Sequence, residues 1–495
     1  MTNPLRARGN PHLLEVALRP WLARLAARAR RPVGLDDVPD SEFDFIRERG
    51  YDAVWLMGAW TTGPRARRLA LGYPDLLRTY ERLVPDWEPC DVAGSPYSIA
   101  AYEPPPNVGG RDALRRLRER LHERGLGLVL DFVPNHVGID HPWLDDHPER
   151  LVRGTPRDLA RDPSTYFVHP RVGGEFRIFA HGKDPYFPGW TDTAQIDFRR
   201  RDARRAMQDL LIDAASLADG LRCDMAMLCL PDVFRRTWGE SAEEEPGDFW
   251  AEAVGALRRE IPDIVLVAEV YWGLESRLLE TGFDWVYDKE TCDALTRADV
   301  AAVRHRVDLS AREHASRLHF LENHDETRAR AALGDRWRAA AAVAYGLPGL
   351  RFFQEGQEDG RRLRAPVQIS RVPDEPPDEE CREFYGRLLR FLDADVLHGG
   401  AWTAAHVEAI GGGESPPLVA SVWSGVEEAR LLVANLGATA ARATLRWPAP
   451  AGATAATYVD VGDAATFMSH VSETSQLSLE VEVPAFGARL LRSRP

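Results

Sequence analysis

Lysine is nearly missing from this sequence, which has only Lys183 and Lys289 among 62 lysines and arginines. We attribute this to compositional bias and attach no function to it. No long basic run occurs, and the formal net charge is −14 at pH 7. Such a charge argues against nucleic acid or an anionic membrane as a partner. An uncharged ligand is the natural expectation.

Long apolar runs and closely paired cysteines are also missing. No run of about 18 apolar residues indicates a membrane span, and the first residues, MTNPLRARGNPHLLEV, lack the apolar segment of a signal peptide. We therefore expect a cytoplasmic protein. The cysteines lie far apart without a CxxC pair, so we expect reduced thiols and no cysteine-based metal site. They are Cys90, Cys223, Cys229, Cys292 and Cys381.

The composition is that of a globular protein larger than one ordinary domain, with 495 residues, 44% hydrophobic and 28% charged. Short apolar runs alternate with amphipathic helical patterns, which indicates repeated β-α units. Eight such strands fit an α/β fold of the (β/α)₈ TIM-barrel type better than an open doubly wound sheet. The predicted strands are 12–18, 52–58, 127–133, 220–227, 264–270, 283–288, 317–323 and 349–355.

Two segments interrupt the β-α pattern. Residues 137–219 form a long insertion after the third strand, rich in Pro, Gly, His and aromatic residues, and such long loops are more often functional than idle. Beyond about residue 393, short β-like runs such as LVASVW and LSLEVEV predict a C-terminal β-sandwich. We therefore predict a barrel over 1–136 and 220–393, the insertion over 137–219, and an all-β domain over 394–495. The acidic run SAEEEPGD is expected to be a solvated loop.

The stretch LRCDMAML places Arg222 and Asp224 inside a predicted buried strand. A lone buried charge costs several kcal/mol, so two together suggest an arranged pair. Side chains alternate along a strand, so both residues are expected on the same face. Taken alone, a structural salt bridge explains the pair as well as a functional site does.

Polar groups at the carboxyl ends of other predicted strands favour the functional interpretation, because barrel enzymes place their chemistry at that end. The sequence has neither a GxSxG motif nor a cysteine set, which argues against acyl transfer and a thiolate-bound metal. Clustered carboxylates instead suit the cleavage of glycosidic bonds. The clustered residues are Asp131, Asn135, His136, Arg222, Asp224, Glu269, Asn323, His324 and Asp325.

Four of these segments resemble a known family. DFVPNH, GLRCDMAML, LVAEV and FLENHD are similar, in order and in strand position, to the four conserved regions of the α-amylase family, glycoside hydrolase family 13. YSIAAY at 97–102 and GLPGLRFFQEGQEDG at 346–360 are similar to the family's second loop and eighth strand. The resemblance covers roughly residues 10–390.

The resemblance implies Asp224 as nucleophile, Glu269 as general acid/base and Asp325 as the carboxylate that orients the sugar. Arg222 would lower the pKa of Asp224, and an apolar strand would raise that of Glu269. The implied enzyme retains configuration at α-glucosidic bonds of short α-glucans or disaccharides, with the two carboxyls ~5–5.5 Å apart.

The same resemblance implies three further sugar-binding residues. His136 and His324 would contact sugar hydroxyls, and Tyr97 would be the platform on which the sugar stacks. Asp131 is expected to organise the site without direct catalysis.

Some positions depart from the family pattern. Met227 and Leu228 stand where many members have a Lys-His pair, which predicts an apolar leaving-group side. Leu228 and Gln195 also replace two ligands of the usual calcium site, and Asn135 alone cannot hold the ion. We expect no cofactor and no metal, including in the insertion, where His141, His147, His169 and His181 lack a ligand spacing.

The loop YSIAAY has Ser98 and Ala101 where small-substrate α-glucosidases often carry acids. Substrate recognition would then come from elsewhere, and the aromatic and charged segment 183–190 is our expectation.

Three hypotheses about the function stay open. The leading one is a hydrolase with a small carbohydrate substrate. A transglycosylase or isomerase would use the same site, and a non-catalytic relative would have lost its carboxylates and carry a membrane anchor. The oligomeric state is left open.

Overall fold

The structure, a computed structural model, describes residues 2–171, 174–241, 245–449, 455–472 and 475–494. Within this part of the chain, eight parallel strands close a barrel in chain order, the eighth pairing with the first. The strands are β1 His12–Ala17, β2 Ala53–Met57, β3 Gly127–Phe132, β4 Gly220–Cys223, β5 Val265–Ala268, β6 Trp285–Tyr287, β7 Arg317–His319 and β8 Leu350–Gln354. The predicted TIM barrel is confirmed, and each observed strand lies within its predicted range.

Alternate residues of the strands fill the barrel interior, as period-two geometry requires. Trp55, Val129, Val267 and Phe352 belong to this inner cluster, and all are at most 1% exposed. Several strands end earlier than predicted. β4 stops at Cys223, and Met225 then takes a left-handed conformation with φ +42°.

Helices cover the outside of the barrel. In Gly110–His122, apolar residues at positions 113, 114, 117 and 121 face the core and arginines face solvent, the pattern of an amphipathic helix. Gly125, with φ +70°, turns the chain back toward β3.

The α-helices among the described residues are Leu18–Ala29, Asp40–Glu48, Pro64–Gly72, Pro74–Leu83, Gly110–His122, Trp143–Asp146, Pro156–Arg161, Arg201–Ala215, Pro231–Trp238, Phe249–Glu260, Glu275–Glu280, Lys289–Thr296, Val300–Val307, Ala311–Ala315, Ala329–Ala332, Trp337–Gly346, Glu379–Leu392 and Asp395–Gly399. The 3₁₀ turns are Pro4–Arg6, Leu35–Asp37, Pro89–Asp91, Pro106–Val108, Pro148–Arg150, Ala226–Cys229 and Gly334–Arg336.

The long segment between β3 and β4 folds over the carboxyl end of the barrel. Strand His136–Gly138 pairs with Thr193–Gln195, and Tyr166–Pro170 pairs with Phe176–Ala180. A further small pair joins Thr61–Thr62 to Ile99–Ala101. These short sheets place the insertion beside the loop that carries Tyr97. The acidic run 241–248 lies partly outside the described residues.

The C-terminal part is an antiparallel sheet with a hydrophobic core of its own. It packs against the barrel helix Trp337–Gly346, where Trp423 Nε1 donates a hydrogen bond to the carbonyl of Gly346 at 2.8 Å. The predicted all-β domain is therefore present. Its described strands are Ala401–Ala404, His406–Ala409, Leu418–Ser424, Ala429–Asn435, Ala441–Pro448, Thr457–Asp460, Thr466–Val471, Gln476–Val483 and Ala488–Ser493.

No helix in the described ranges is both long and apolar enough to cross a membrane.

Candidate active site

The acids predicted for the site follow the carboxyl ends of their strands. Asp224 comes directly after β4 and Glu269 directly after β5. Their backbone amides still donate to the neighbouring strands, Asp224 to Phe132 at 2.8 Å and Glu269 to Cys223 at 3.0 Å. Each carboxyl is therefore fixed by the barrel at the point where the regular sheet ends.

Arg222 joins these two carboxyls. Its side chain is 1% exposed, with Nη1 at 2.6 Å from Asp224 Oδ1 and Nη2 at 2.7 Å from Glu269 Oε2. The guanidinium also lies 5.1 Å from the ring centre of Trp55 and 5.5 Å from that of Tyr97, within cation–π range. The charged pair noticed in the sequence is thus a triad with Glu269, held among aromatic rings.

Glu269 has hydrogen-bond donors on both carboxyl oxygens. Met225 N donates to Oε2 at 2.8 Å, and the Tyr271 hydroxyl donates to Oε1 at 2.7 Å. Burial raises the pKa of Glu269 to about 7, against the opposing effect of Arg222. This is the direction that the sequence predicts, and it lets the carboxyl hold a proton near neutral pH.

The pKa of Asp224 differs from expectation. Burial raises it above its usual value, and the nearby Arg222 guanidinium opposes that rise without cancelling it. Arg222 lowers the pKa of Asp224, as predicted, but the effect of burial is larger, so the net shift is upward.

Asp325 lies across the site beside His324. Asn323 Oδ1 accepts from the amides of Asp325 and Glu326 at 2.9 and 3.0 Å, which fixes the turn. The side chain of Asp325 is 54% exposed, and its Oδ2 lies 3.0 Å from His324 Nε2. Loss of solvent around the carboxyl group raises the pKa of Asp325. The nearby His324 outweighs this effect, and the pKa is lowered to about 2.

Glu15 is a member of this cluster that the sequence reasoning missed. It lies on β1, is 1% exposed, and places Oε1 at 2.5 Å from His324 Nδ1. Burial lowers the pKa of His324, but Asp325 and Glu15 together raise it well above its ordinary value. The sequence did contain a signal for Glu15, which is a single charged residue in the apolar run HLLEVAL. A charged residue inside an apolar run is also the feature that drew attention to Arg222.

The structure also brings Tyr97 and His136 to this region. The Tyr97 hydroxyl is 2.8 Å from His324 Nε2, and the two rings stack with centres 5.3 Å apart. His136 hydrogen-bonds to the backbone of Tyr97 and lies 5.2 Å from the ring of Trp190. Burial lowers the pKa of His136 to about 4, so its ring is neutral at physiological pH.

Asp131 contacts barrel groups. It is 2% exposed and accepts hydrogen bonds from Trp55 Nε1 at 3.1 Å and from the Gly58 amide at 2.8 Å. These contacts tie β3 to the end of β2, in keeping with an organising role.

The oxygen atoms that the family would use for calcium are already engaged. Gln195 Nε2 donates to Asn135 O at 2.8 Å, to Asn135 Oδ1 at 3.1 Å and to Ile196 O at 3.0 Å. Leu228, in place of a polar ligand, is 3% exposed and lies in the core. Calcium needs six or more oxygen ligands, so the residues present do not fit it.

One other group of possible metal ligands occurs among the described residues, namely Asp288, His314 and His319. Asp288 already accepts from Thr291 Oγ1 at 2.6 Å and from Arg306 Nη2 at 2.9 Å, and it pairs with His319 at 3.0 Å. These partners neutralise the carboxylate, so the group is best explained as a buried structural network.

Met227 and Leu228, the apolar residues predicted for the leaving-group side, are buried in the core. Met227 and Leu228 point into the core, because the chain turns at Met225 and enters a 3₁₀ turn. Tyr186 and Trp272 are instead 60% and 41% exposed, with ring centres 5.0 Å apart. Trp272 directly follows Tyr271, whose hydroxyl donates to Glu269.

Comparisons with known proteins agree with this fold and its motifs. The family described as "Alpha amylase, catalytic domain" matches residues 40–363. The α-amylase MalA of Haloarcula japonica is 27% identical over 366 residues, which are 70% of this chain and 48% of that protein. The probable oligo-1,6-glucosidase 2 of Bacillus subtilis is 23% identical over 404 residues, 70% of this chain and 65% of that protein. The chain thus matches about half to two thirds of the length of these relatives.

A solved structure extends the likeness to the whole chain. The maltogenic α-amylase AmyB from Thermotoga neapolitana superposes with a TM-score of 0.67 at 17% identity, covering 98% of both chains. At that identity the superposition shows a common fold, including the C-terminal sheet domain.

Proposed function

The chain belongs to the α-amylase family of glycoside hydrolases, and we propose that it cleaves α-glucosidic bonds of short α-glucans or α-glucosyl disaccharides with retention of configuration. The observation that carries this proposal is the single buried guanidinium of Arg222 shared by Asp224 and Glu269. Retaining enzymes need their two carboxyls only ~5–5.5 Å apart, and inverting enzymes need ~6.5–9.5 Å. One guanidinium that contacts both carboxyls favours the shorter separation.

In the first step, Asp224 attacks the anomeric carbon while Glu269 gives its proton to the leaving oxygen. The products are a glucosyl ester on Asp224 and a free alcohol. In the second step, Glu269 takes a proton from water, which attacks the same carbon and releases Asp224. The raised pKa of Glu269 suits the first step, because the acid must be protonated when substrate binds.

The remaining side chains are assigned to the sugar. Asp325 accepts hydrogen bonds from sugar hydroxyls, which strengthen as positive charge develops on the ring. His324 and His136 contact other hydroxyls, and Tyr97 offers its ring as a platform. Tyr97 and His324 are held in place by their mutual contact.

The alternative function is transfer of the glucosyl group to a second sugar. The aromatic pair of Tyr186 and Trp272 supports this alternative. We assign this pair to the leaving-group or acceptor side because Trp272 directly follows Tyr271, whose hydroxyl contacts the proposed acid Glu269. Exposed aromatic rings bind the apolar face of a sugar. An acceptor held there competes with water for the glucosyl ester.

A product profile followed by NMR tests both functions. The purified protein is given maltose, maltoheptaose, trehalose, isomaltose and sucrose in turn, with Asp224→Ala as the inactive control. Sucrose and trehalose have no reducing end, so release of α-glucose alone as the first glucose from them supports a retaining hydrolase, and early β-glucose from them contradicts it. Longer or re-linked sugars that form before free glucose indicate a transferase. No turnover of any of these sugars contradicts the proposed substrate class.

A further inference from the structure

Glu15 has no assigned role in the reaction above, although it lies at the base of the site. Its neighbours on β1 are apolar, and its side chain is 1% exposed. Among the described residues its single ion pair is with His324, at 2.5 Å. A buried carboxylate without an arginine or lysine partner is costly, so the contact with His324 needs an explanation.

His324 meets a carboxylate oxygen at each ring nitrogen. Nδ1 faces Glu15 Oε1 at 2.5 Å, and Nε2 faces Asp325 Oδ2 at 3.0 Å and the Tyr97 hydroxyl at 2.8 Å. A neutral imidazole has one N–H and one lone pair. A neutral ring with its proton on Nδ1 could accept from the Tyr97 hydroxyl at Nε2, but its lone pair would still lie 3.0 Å from the Asp325 carboxylate, whereas an imidazolium donates to both carboxylates.

The other charges near His324 are already paired with one another. Arg222 is taken by Asp224 and Glu269, and Arg328 Nη2 lies 2.8 Å from Glu322 Oε1. Asp131 also acts on His324 but is held by hydrogen bonds from the barrel. Among the described residues, the charged and titratable groups around His324 include Glu15 on β1, Asp131 on β3, Arg222 on β4, Tyr97 after β2, Glu322, Asp325 and Arg328 after β7, and Glu355, Arg361 and Arg364 after β8.

We infer that Glu15 is a positioning residue that keeps His324 protonated on both ring nitrogens, so that its Nε2–H is held toward Asp325 and the bound sugar. The inference rests on the proposed function in one respect, the binding of sugar beside His324 and Asp325. Glu15 itself touches neither the substrate nor the reacting atoms. It acts by fixing the charge and the orientation of the histidine ring.

Two consequences follow for Asp325. A cationic His324 keeps this half-exposed carboxylate ionised, in agreement with its lowered pKa. It also fixes the carboxylate in place, because the ring is clamped at Nδ1 by Glu15 on the barrel wall. Asp325 can then accept hydrogen bonds from sugar hydroxyls without first changing its protonation.

Glu15→Gln is the variant that removes the charge and keeps the shape. Oε2 of Glu15 makes no hydrogen bond to any described residue. An amide NH₂ in place of Oε2 is close to isosteric with it and breaks no hydrogen bond among the described residues. The amide oxygen that takes the place of Oε1 can still accept from Nδ1. We therefore expect this variant to fold.

The first measurement is the charge state of His324, which needs no substrate. Protein labelled with ¹⁵N-histidine is titrated and its long-range ¹H–¹⁵N spectrum recorded, with His324→Gln used to assign the signal. In the wild type we expect both nitrogens of His324 to be protonated at about pH 7, where His136 is neutral. In Glu15→Gln we expect His324 to lose its second proton about 1–3 pH units lower than in the wild type. A neutral His324 in the wild type, or an unchanged titration in the variant, would overturn the inference.

The second measurement is the ratio of kcat/KM between Glu15→Gln and wild type as a function of pH. The deprotonation of Glu269 is common to both proteins and cancels in this ratio. We expect the ratio to fall by about tenfold or more between about pH 6 and about pH 9, because only the variant loses the His324 cation in that range. A ratio that is low but independent of pH would mean a merely structural role.

Two further variants serve as controls. Glu15→Asp keeps the charge, so it should retain the wild-type pH dependence even if kcat falls. Asp52→Asn removes another buried carboxylate, 4% exposed and bound to Arg8 at 2.7 Å before β2, and should change stability without changing the pH dependence. If no α-glucoside is cleaved, the proposed function fails, but the NMR titration still decides the role of Glu15.

Discussion

The two halves of the candidate site use the same arrangement with different cations. On one side Arg222 lies between Asp224 and Glu269, and on the other side His324 lies between Glu15 and Asp325. Arginine stays protonated at any physiological pH, whereas histidine can lose its charge. The half that we propose for bond cleavage therefore has a permanent cation, and the half that we propose for holding the sugar has one that depends on its neighbours.

The two halves also differ in exposure. The side chains of Asp224 and Glu269 are 10% and 5% exposed, while that of Asp325 is 54% exposed. Burial is the first cause of the raised pKa values of Asp224 and Glu269, and the histidine cation accounts for the lowered pKa of Asp325. A cation shared by two carboxylates thus has opposite net results in the two halves, where the exposure of the carboxylate side chains differs.

Removing the permanent cation should have the largest effect. In Arg222→Met, Asp224 and Glu269 remain buried without a counter-charge, so both are expected to be protonated at neutral pH. We expect activity to fall on the order of 10⁴-fold, as when the residue that orients a catalytic group is neutralised. The free energy of unfolding should fall by about 3–5 kcal/mol, the usual cost of breaking a buried pair.

Urea denaturation and kcat/KM measure these two effects. Arg306→Met is the matched control, because Arg306 is also mostly buried and pairs with Asp288 at 2.9 Å away from the site. It should lose stability and keep its activity. Comparable activity in Arg222→Met and Arg306→Met would remove Arg222 from the mechanism.

Replacing the carboxyl group of Glu269 by a neutral amide should have the next largest effect on activity. In Glu269→Gln no proton can be given to the leaving oxygen, and we expect kcat/KM for maltose to fall by about 10²–10⁴-fold. The wild-type rate should decline as pH rises through about 7, because the acid must be protonated. That decline should be missing in the variant.

Substrates with a good leaving group sharpen this test. α-Glucosyl fluoride needs little protonation, so its rate of glucosylation should fall far less in Glu269→Gln than that of maltose. Tyr271→Phe is the companion variant, since it removes the donor to Glu269 Oε1. A carboxylate that loses a donor has a higher pKa, so the alkaline decline should move to higher pH. Equal losses on both substrates in Glu269→Gln would argue against its role as the acid.

Much of this site could be inferred from the sequence, because charges inside apolar runs are locally visible. Arg222, Asp224 and Glu269 stand out against their β-rich surroundings, and the barrel brings them together by its regular order. Which residue each charged group contacts depends on the tertiary structure. The pairing of Glu15 with His324 joins β1 to the loop after β7, and no local pattern encodes which buried acid meets which cation.

Two errors in the sequence analysis, the end of the fourth strand and the placement of Met227 and Leu228, have a common cause. The predicted fourth strand ran to residue 227, but the backbone turns at Met225, with φ +42°. Met227 and Leu228 therefore point into the core. Apolar periodicity does not reveal where a strand stops, because a buried 3₁₀ turn is as apolar as the strand before it.

The smallest effect is expected from removing metal ions, because the amide of Gln195 lies where relatives would bind calcium. Gln195 Nε2 donates to three oxygens that a calcium ion would otherwise need. Chelation with EDTA should therefore leave both activity and Tm unchanged. In Gln195→Asp the amide is replaced by a carboxylate facing Asn135, and this variant should lose stability and recover part of it when calcium is added. Loss of Tm in the wild type on chelation would show that a metal ion, and not the amide of Gln195, joins the insertion to the barrel.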